Sequence, residues 1–464
     1  MTKYQREGFR ALLFSVFVCL SMGSLTHLAL AKKLAIPFEK YRLDNGMEVI
    51  LHQDRSVPLV AVNVWYHVGA GDETLGKSGF AHLFEHMLFQ GSENVGEDRH
   101  FAILKGIGAS RVNGTTNFNR TNYFEQVPAN QLETALWLES DRMGFFLPLL
   151  TQKSLDNQIE VVRNERRQRL DNVPYGKSEQ KMFEALYPEA HPYRGMIIGY
   201  HKDLVNSNLS DITEFYKKWY TPSNATLTLA GDFDIPTAKK LVNKWFGSLP
   251  KLPKPAQRTV ETPKISRSRQ VVLDQFAKLR RLSYAWHTPA RFSDNDAELK
   301  VLADILASST GRLFKKLVHS NQLAQKVSAY QWSNQSSGSF FLEVLLKPNA
   351  DLKVVEATIE QELSSIMISG VTAQELKRAV TQFESRKVWK LEHLMSRADA
   401  LQSYNHFQND PGWLQKEMDQ YRAITPAKIK GAASKYLTRA HRAEILTLPI
   451  QKKVAKKAAK GGQL

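Results

Sequence analysis

The side chains with the clearest potential for chemistry lie in residues 79–89, which read GFAHLFEHMLF. Because no glycine or proline follows Gly79, we predict a helix that begins just after it. On that helix His82 and His86 lie four residues apart on one face, where both imidazoles can reach one metal ion. Glu85 shares this face and is placed to take a proton from a water at such an ion.

The same pattern has two interpretations. H-x-x-E-H is the inverted form of the zinc-peptidase helix motif, with the glutamate next to the second histidine. A five-residue pattern also arises by chance, and the alternative is a buried helix whose two histidines are only hydrogen-bonded. No second ligand at metal spacing accompanies His52, His67, His100, His191 or His201. His67, at the end of a predicted strand, is expected to be a polar cap or a core residue.

A metal site of this type needs a third protein ligand, and residues 155–167 (LDNQIEVVRNERR) offer two carboxylates. With Val162 on the buried stripe of a helix, Glu165 lies about 60° away from it, whereas Glu160 lies about 160° away, towards solvent. We therefore predict Glu165 as the third ligand.

Two neighbouring positions bear on that assignment. Gln158 precedes Glu165 by seven residues and almost eclipses it on a helix, which makes it a candidate to support the ligands from behind. Arg166 and Arg169 offer the alternative, in which Glu165 makes an ion pair and binds no metal.

The elements around these residues favour an α+β fold. Residues 41–50 read as a hairpin around Asn45-Gly46, and residues 59–68 as a buried third strand. Further patterns predict helices near 79–90, 98–106, 130–146, 151–170 and 236–246, and a strand at 226–230. The second half repeats this style, with strands at 281–286 and 340–346 and helices at 297–307, 352–368 and 373–389. Antiparallel hairpins followed by helical blocks argue against a doubly wound sheet, and the repetition indicates an internal duplication although direct identity between the halves is low.

We predict five segments along the chain. They are a signal peptide at 1–31, a catalytic N-terminal domain at 32–252, a linker at 253–267, a homologous C-terminal domain at 268–450 and a basic tail at 451–464. The linker prediction rests on clustered prolines and charged residues, and the tail prediction on the low-complexity run KKVAKKAAKGG.

The first 31 residues have the order of a secretory signal, with a basic start, an apolar middle and an A-x-A site at 29–31. The alternative is an uncleaved anchor. Cys19, the one cysteine, lies inside the signal, so the mature chain would need no disulfide in an oxidising compartment. No other stretch is long and apolar enough for a membrane span. We therefore predict export to the periplasm of a Gram-negative bacterium.

The net charge of +17 raises the question of a nucleic-acid partner. The charge is not one patch, because two positive charges belong to the signal, five lysines to the tail, and about ten are spread over the body. No nucleic-acid motif accompanies it, so we expect no such partner. A content of 42% hydrophobic and 10% aromatic residues is typical of a chain with real cores and excludes a disordered one.

Taken together, these features resemble the pitrilysin-type metallopeptidases, a family that includes insulin-degrading enzyme and the mitochondrial processing peptidase. The resemblance covers nearly all of residues 38–450, and the half-length bacterial members are the most similar. Its main motifs are HLFEH at 82–86, VVRNERR at 161–167 and GAGDE at 69–73.

The resemblance implies two similar domains, each with a mainly antiparallel sheet flanked by helices. It also implies one zinc ion per chain and a chamber that two such chains enclose like a clamshell. A substrate peptide would add as a strand to a sheet edge near residues 110–115, where Asn113 matches an asparagine of the family.

One motif departs from the family pattern. Members that complete the site carry an arginine and a tyrosine in the second domain, and Val318 and Gln325 stand at those positions here. A valine side chain cannot donate a hydrogen bond to an oxyanion. We therefore expect a homologous partner chain to supply the pair in a heterodimer, with a homodimer as the alternative. Gln158 is a second departure, because many relatives have a carboxylate there.

The function expected from these observations is zinc-dependent endopeptidase activity on peptides or unfolded polypeptides. The alternative is a structural or chaperone-like subunit that keeps the fold without activity. The intact metal set argues against that alternative, because decayed homologues usually lose the metal set first.

Overall fold

A computed structural model describes residues 33–256, 258 and 260–450. The predicted signal peptide and the predicted basic tail lie outside the described residues. Residues 36–450 belong to one compact unit. Among the described helices, none combines the length and the apolar character that crossing a membrane would require.

The first half of the unit is built on a six-stranded sheet. Its strand order is β1-β2-β6-β3-β5-β4, with every neighbouring pair antiparallel except β2 and β6. The predicted hairpin at Asn45-Gly46 is present as β1 and β2, and the predicted buried strand is β3. The strands are β1 (Glu39–Arg42), β2 (Glu48–Gln53), β3 (Leu59–Tyr66), β4 (Ser110–Thr116), β5 (Thr121–Pro128) and β6 (Ala225–Gly231).

The helices of this half begin and end close to their predicted positions where the sequence pattern was amphipathic. A π-helical segment, Arg167–Asp171, continues the fourth helix. The helices are α1 (Phe80–Met87), α2 (Arg99–Gly106), α3 (Leu132–Gly144), α4 (Gln152–Arg166), α5 (Gly176–Leu186), α6 (His201–Val205), α7 (Leu209–Trp219) and α8 (Ile235–Phe246).

The second half is built on a five-stranded sheet with the order β7-β11-β8-β10-β9. Its strands are β7 (Ser268–Asp274), β8 (Arg281–Thr288), β9 (Ala324–Ser333), β10 (Gly338–Leu346) and β11 (Ala443–Pro449). Its helices are α9 (Asp296–Ala307), α10 (Arg312–Phe314), α11 (Leu352–Ser369), α12 (Ala373–Lys390), α13 (Leu394–Gln408), α14 (Leu414–Arg422) and α15 (Pro426–Tyr436).

The two sheets have the same topology. In each, the first long strand runs parallel to the last strand of its half, and the remaining neighbours are antiparallel. Strands β7, β11, β8, β10 and β9 therefore repeat β2, β6, β3, β5 and β4 in order and direction. The structure confirms the predicted α+β class with two similar halves, and it agrees with an internal duplication.

Each half lends one helix to the other half's sheet. Helix α13, from the second half, packs on the first sheet through Leu394, Met395 and Ala398, which contact Ala61 and Ala230. Helix α5, from the first half, packs on the second sheet in a cluster that includes Met182, Phe183, Leu186, Val272 and Ile445. Every sheet is thus covered on both faces, and the two halves share buried surface.

The predicted linker contains no helix or strand in its described part, and β7 begins directly after it at Ser268. Arg258 lies within the linker and donates a hydrogen bond to the carbonyl oxygen of Glu73. The boundaries of the predicted domains stay predictions.

Candidate active site

Helix α1 is held at its beginning by a buried carboxylate. Gly79 has φ of 88°, a left-handed conformation that glycine adopts without strain, and the helix starts at the next residue. Glu73 accepts hydrogen bonds from the backbone N–H groups of Gly79 and Ala81, at 3.0 and 2.8 Å. These bonds satisfy donors that a helix N-terminus leaves free, and they fix the start of the helix.

Helix α1 and helix α4 bring the three predicted ligands together. One ligand atom each from His82, His86 and Glu165 lies within 4.8 Å of the others. The Nε2 atoms of His82 and His86 are 3.8 and 3.2 Å from the same carboxylate oxygen, Oε2 of Glu165. In the part of the chain that the structure describes, this is the one group of three such ligands.

The spacing and chemistry of these atoms fit a zinc ion. Two ligands at about 2.0–2.1 Å from one tetrahedral ion lie roughly 3.3 Å apart, close to the two distances observed. Two imidazoles and a carboxylate are also a donor set that zinc accepts. Burial lowers the pKa of His82 to about 4, so its imidazole is neutral and able to coordinate at neutral pH.

Glu165 contacts both the histidines and an arginine, through different oxygens. Its Oε1 lies 2.7 Å from Nη1 of Arg169, while its Oε2 faces the histidines. The hydrogen bond with His86 is the main cause that lowers the pKa of Glu165. The ion pair that the sequence offered as an alternative is therefore present without displacing the carboxylate from the histidines. Glu160, on the same helix, is 54% exposed and bonds Arg163 instead.

The side chain of Glu85 extends from α1 to the edge strand β4. Its Oε2 accepts a hydrogen bond of 2.7 Å from the hydroxyl of Thr116, and burial raises the pKa of its carboxyl group. Gly114 leaves the room that this side chain occupies, because a Cβ there would lie 2.9 Å from Cγ of Glu85. Sequence patterns missed Thr116 and Gly114, although their spacing of two on a strand is the signal that both face the same side.

The site opens into a cavity of about 660 Å³. Aromatic side chains form much of its wall, and the two halves of the unit both contribute to it, because Trp332 lies on β9 of the second sheet. The wall residues that matter most here are Phe89, Phe101, Phe118, Phe183 and Trp332. A cavity of this size, walled by apolar side chains around a few polar groups, has room for an organic ligand beside a metal ion.

The structure places the other predicted residues as follows. Asn113 lies on β4 and Gln158 on α4, where Gln158 is 5% exposed, and both line the cavity. Val318 lies in the π-helical segment after α10 and packs against the second core, and Gln325 is exposed on β9. Neither lines the cavity. His67, predicted as a cap or core residue, is buried and bonded to Thr226.

Two sequence models of one peptidase family match the chain. Residues 48–190 match insulinase, peptidase family M16, and residues 206–383 match the peptidase M16 inactive domain. The chain belongs to peptidase family M16. The first match contains α1 and α4 with the three ligands, and the second covers most of the half that repeats the topology without them.

Relatives of the same length support this assignment. The zinc protease PqqE of Helicobacter pylori is 27% identical over 440 residues, which are 92% of this chain and 96% of that protein. The crystal structure of a protease from Helicobacter pylori, 26% identical, superposes with a TM-score of 0.83 and covers 90% of this chain and all of that one. The periplasmic protease PqqL of Escherichia coli shares the fold at 18% identity and a TM-score of 0.74, and this chain spans 48% of its length.

Proposed function

We propose that this M16 peptidase is a zinc-dependent endopeptidase that cleaves peptides or unfolded polypeptides. The observation that carries the proposal is the convergence of His82, His86 and Glu165 beside a buried Glu85 at an open sheet edge. Zinc protease is also the name given to the Helicobacter pylori relative. Export to the periplasm is part of the proposal, supported by the signal-like N-terminal sequence and by the periplasmic location named for PqqL.

His82, His86 and Glu165 would hold the zinc ion, which when bound acts as a Lewis acid on the scissile carbonyl and on a water. Glu85 takes the proton of the attacking water and passes it to the leaving amine. The hydroxyl of Thr116 keeps the Glu85 carboxylate oriented. Arg169 neutralises the second oxygen of Glu165 and holds it in place.

Strand β4 supplies the position for the substrate backbone. It pairs with β5 on one side, and no described strand pairs with its other side. A peptide that adds along this edge hydrogen-bonds through its backbone, so many sequences can bind, and Asn113 lies on the strand to contact them. Gln158, buried behind the site, would support the ligands.

A homologous partner chain completes the site in this proposal. Val318 and Gln325 lie outside the cavity and offer neither the guanidinium nor the phenol that other family members use. The partner would supply that pair from its own second half, in a heterodimer that encloses a chamber. The chain alone is then expected to turn over peptides slowly.

The test measures cleavage of an unfolded polypeptide by the zinc-loaded full-length chain, alone and mixed with a homologous chain that carries the arginine and tyrosine. We expect cleavage by the mixture and a loss of about 10²- to 10⁴-fold when this chain carries Glu85→Gln, because the base is gone. Glu160→Gln is the matched control, since Glu160 lies on α4 but faces solvent.

The same experiment separates the alternatives. Cleavage that Glu85→Gln leaves unchanged contradicts the assigned base. Equal cleavage by the chain alone and by the mixture contradicts the partner, while the endopeptidase function stands. Bound zinc without cleavage in any mixture favours the structural or chaperone-like subunit.

A further inference from the structure

A second cavity lies on the opposite face of the first sheet from the metal site. It has a volume of about 480 Å³ and is enclosed by β3, β5, the end of α12 and α13. Its charged lining residues are Arg120, Arg291, Lys387, Lys390 and Asp399. We call it the basic cavity, because four cations and one carboxylate line it.

Three of these cations have no carboxylate partner at salt-bridge distance within the described ranges. Lys387 is the exception, because its Nζ lies 2.6 Å from Oε2 of Glu417. Arg120 bonds the carbonyl oxygen of Thr115, and Arg291 bonds the hydroxyl of Ser403.

Both guanidinium groups also keep unsatisfied hydrogen-bonding capacity. The Nε atoms of Arg120 and Arg291 are buried and have no hydrogen-bond partner among the described residues. A buried donor on a charged group is costly to leave unmatched, so these groups suit a bound anion better than an empty space. Asp399 is the carboxylate that the cations share, and it cannot offset all of them.

Strand β4 connects the basic cavity to the metal site. Gly114 and Thr116 face Glu85. Thr115 between them lines both cavities, and its hydroxyl donates a hydrogen bond to Asn122, which lines the basic cavity. Side chains of a strand alternate between the two faces of a sheet. A peptide added beside β4 continues the sheet, so its side chains alternate between the metal site and the face that carries the basic cavity.

We propose that the basic cavity binds a carboxylate of the substrate. The enzyme then prefers peptides that carry an acidic residue an odd number of positions away from a residue whose side chain faces the metal site. The inference rests on the proposed function, because it takes β4 as the strand along which the substrate pairs. Arg120, Arg291 and Lys390 supply the positive charge, and an acidic peptide supplies the anion that they lack.

The test uses one parent peptide with an amidated C-terminus in which a single glutamate is moved stepwise along the sequence. Binding to the zinc-loaded Glu85→Gln protein is measured by fluorescence anisotropy, so that no cleavage is needed. We expect the affinity to rise about tenfold at alternate positions and the gain to shrink at high salt. Lys390→Glu and, separately, Arg291→Gln should remove the gain.

The control is Lys278→Glu, which makes the same charge change at an exposed lysine outside the basic cavity. The inference is overturned if the affinity does not depend on the glutamate or does not alternate with its position. It is also overturned if Lys390→Glu and Lys278→Glu change the affinity equally. A glutamate-free peptide with a free C-terminus forms a second arm. If that arm alone depends on Lys390, the cavity binds a chain end, and the preference for an internal acidic residue is wrong.

Failure of this inference differs from failure of the proposed function. If the wild-type chain cleaves peptides and the position of the glutamate has no effect, only the proposed role of the basic cavity is wrong. If the affinity alternates with the position of the glutamate but no mixture cleaves a peptide, the role of the basic cavity is supported and the endopeptidase function is wrong.

Discussion

The two halves of this molecule share one topology but differ in what their helices present. After β3, helix α1 presents two histidines and a glutamate towards α4. After β8, the corresponding helix α9 presents Asp296, which bonds Lys300 one turn later and the hydroxyl of Ser333. The topology therefore supplies two equivalent positions, and the residue types decide which one becomes a reactive site.

The polar residues of the second half pair with each other in the same way. Arg312 makes two bonds of 2.7 Å to the carboxylate of Glu375 on α12, and Arg442 bonds Glu444 inside the core. In the first half, the Glu165 carboxylate on α4 faces two imidazoles, at 3.8 and 3.2 Å from one of its oxygens. Satisfied ion pairs stabilise a fold, whereas two imidazoles that converge on one carboxylate oxygen form a donor set for a metal.

The largest effect is expected from removing a ligand of the first half. His82→Ala should abolish stoichiometric zinc and reduce turnover by more than about 10³-fold, because two ligands hold the ion poorly. Elemental analysis and peptide cleavage measure the two losses. His319→Ala in the second half is the control, since His319 is exposed, and equal loss in both variants would contradict the site.

A smaller effect is expected from crowding the base. Gly114→Ala places a Cβ 2.9 Å from Cγ of Glu85, so the carboxylate must move while the ligands stay. We expect kcat to fall about 10- to 100-fold with the zinc content unchanged. Gly431→Ala in the second half is the matched control, because a Cβ there meets nothing within 4 Å. Wild-type kcat in Gly114→Ala would argue that Glu85 is not the base.

The exchanged helices predict that the halves unfold together. Gln402 on α13 is fully buried and donates hydrogen bonds to the carbonyl oxygens of Asn63 and Thr226 in the first sheet. Gln402→Leu should lower the free energy of unfolding by about 1–2 kcal/mol and shift a single denaturation transition. The exposed Gln420→Leu should leave the midpoint in place. Two separate transitions, with one unaffected, would show that the halves are independent.

The smallest effect concerns the paired charges of the second half. The hydrogen bond from Arg312 lowers the pKa of Glu375 to about 2, so the ionised carboxylate stabilises the folded state. That stability is complete above the ordinary pKa of a glutamate and is lost as the pH falls from about 4.5 to about 2. Glu375→Gln should therefore cost about 1–2 kcal/mol at pH 7 and almost nothing near pH 2, as measured by urea denaturation. A cost that does not change with pH would contradict the ion pair.

Sequence patterns predicted elements well where one face of an element is buried and the other is exposed to solvent. Helices α4 and α8 each have one buried face, and their bounds came within a few residues. Helix α1 is buried on almost all sides, and it was predicted from its motif and from the lack of glycine and proline after Gly79. Helix α13 was missed because its buried face mixes the polar Gln402 and Asn405 with apolar residues, so the hydrophobic period in its sequence is weak. Strand β7 was missed because it is an edge strand with exposed Val271 and Leu273 beside charged residues.

The relations that can be read from the amino-acid sequence are local. The spacing of four between His82 and His86, and the turn of the helix that separates Glu165 from Glu160, follow from helix geometry within one segment, and no other part of the chain can change them.

The other relations in the site join segments that are far apart in the chain, so they follow from the tertiary fold. The pairing order of β5 and β4 brings Thr116 and Gly114 against Glu85, and the second sheet places Trp332 in the cavity wall. The packing of α13 on the first sheet builds the basic cavity from both halves. Such contacts depend on which strands pair and which faces meet, and a periodic pattern in one segment carries no record of that choice.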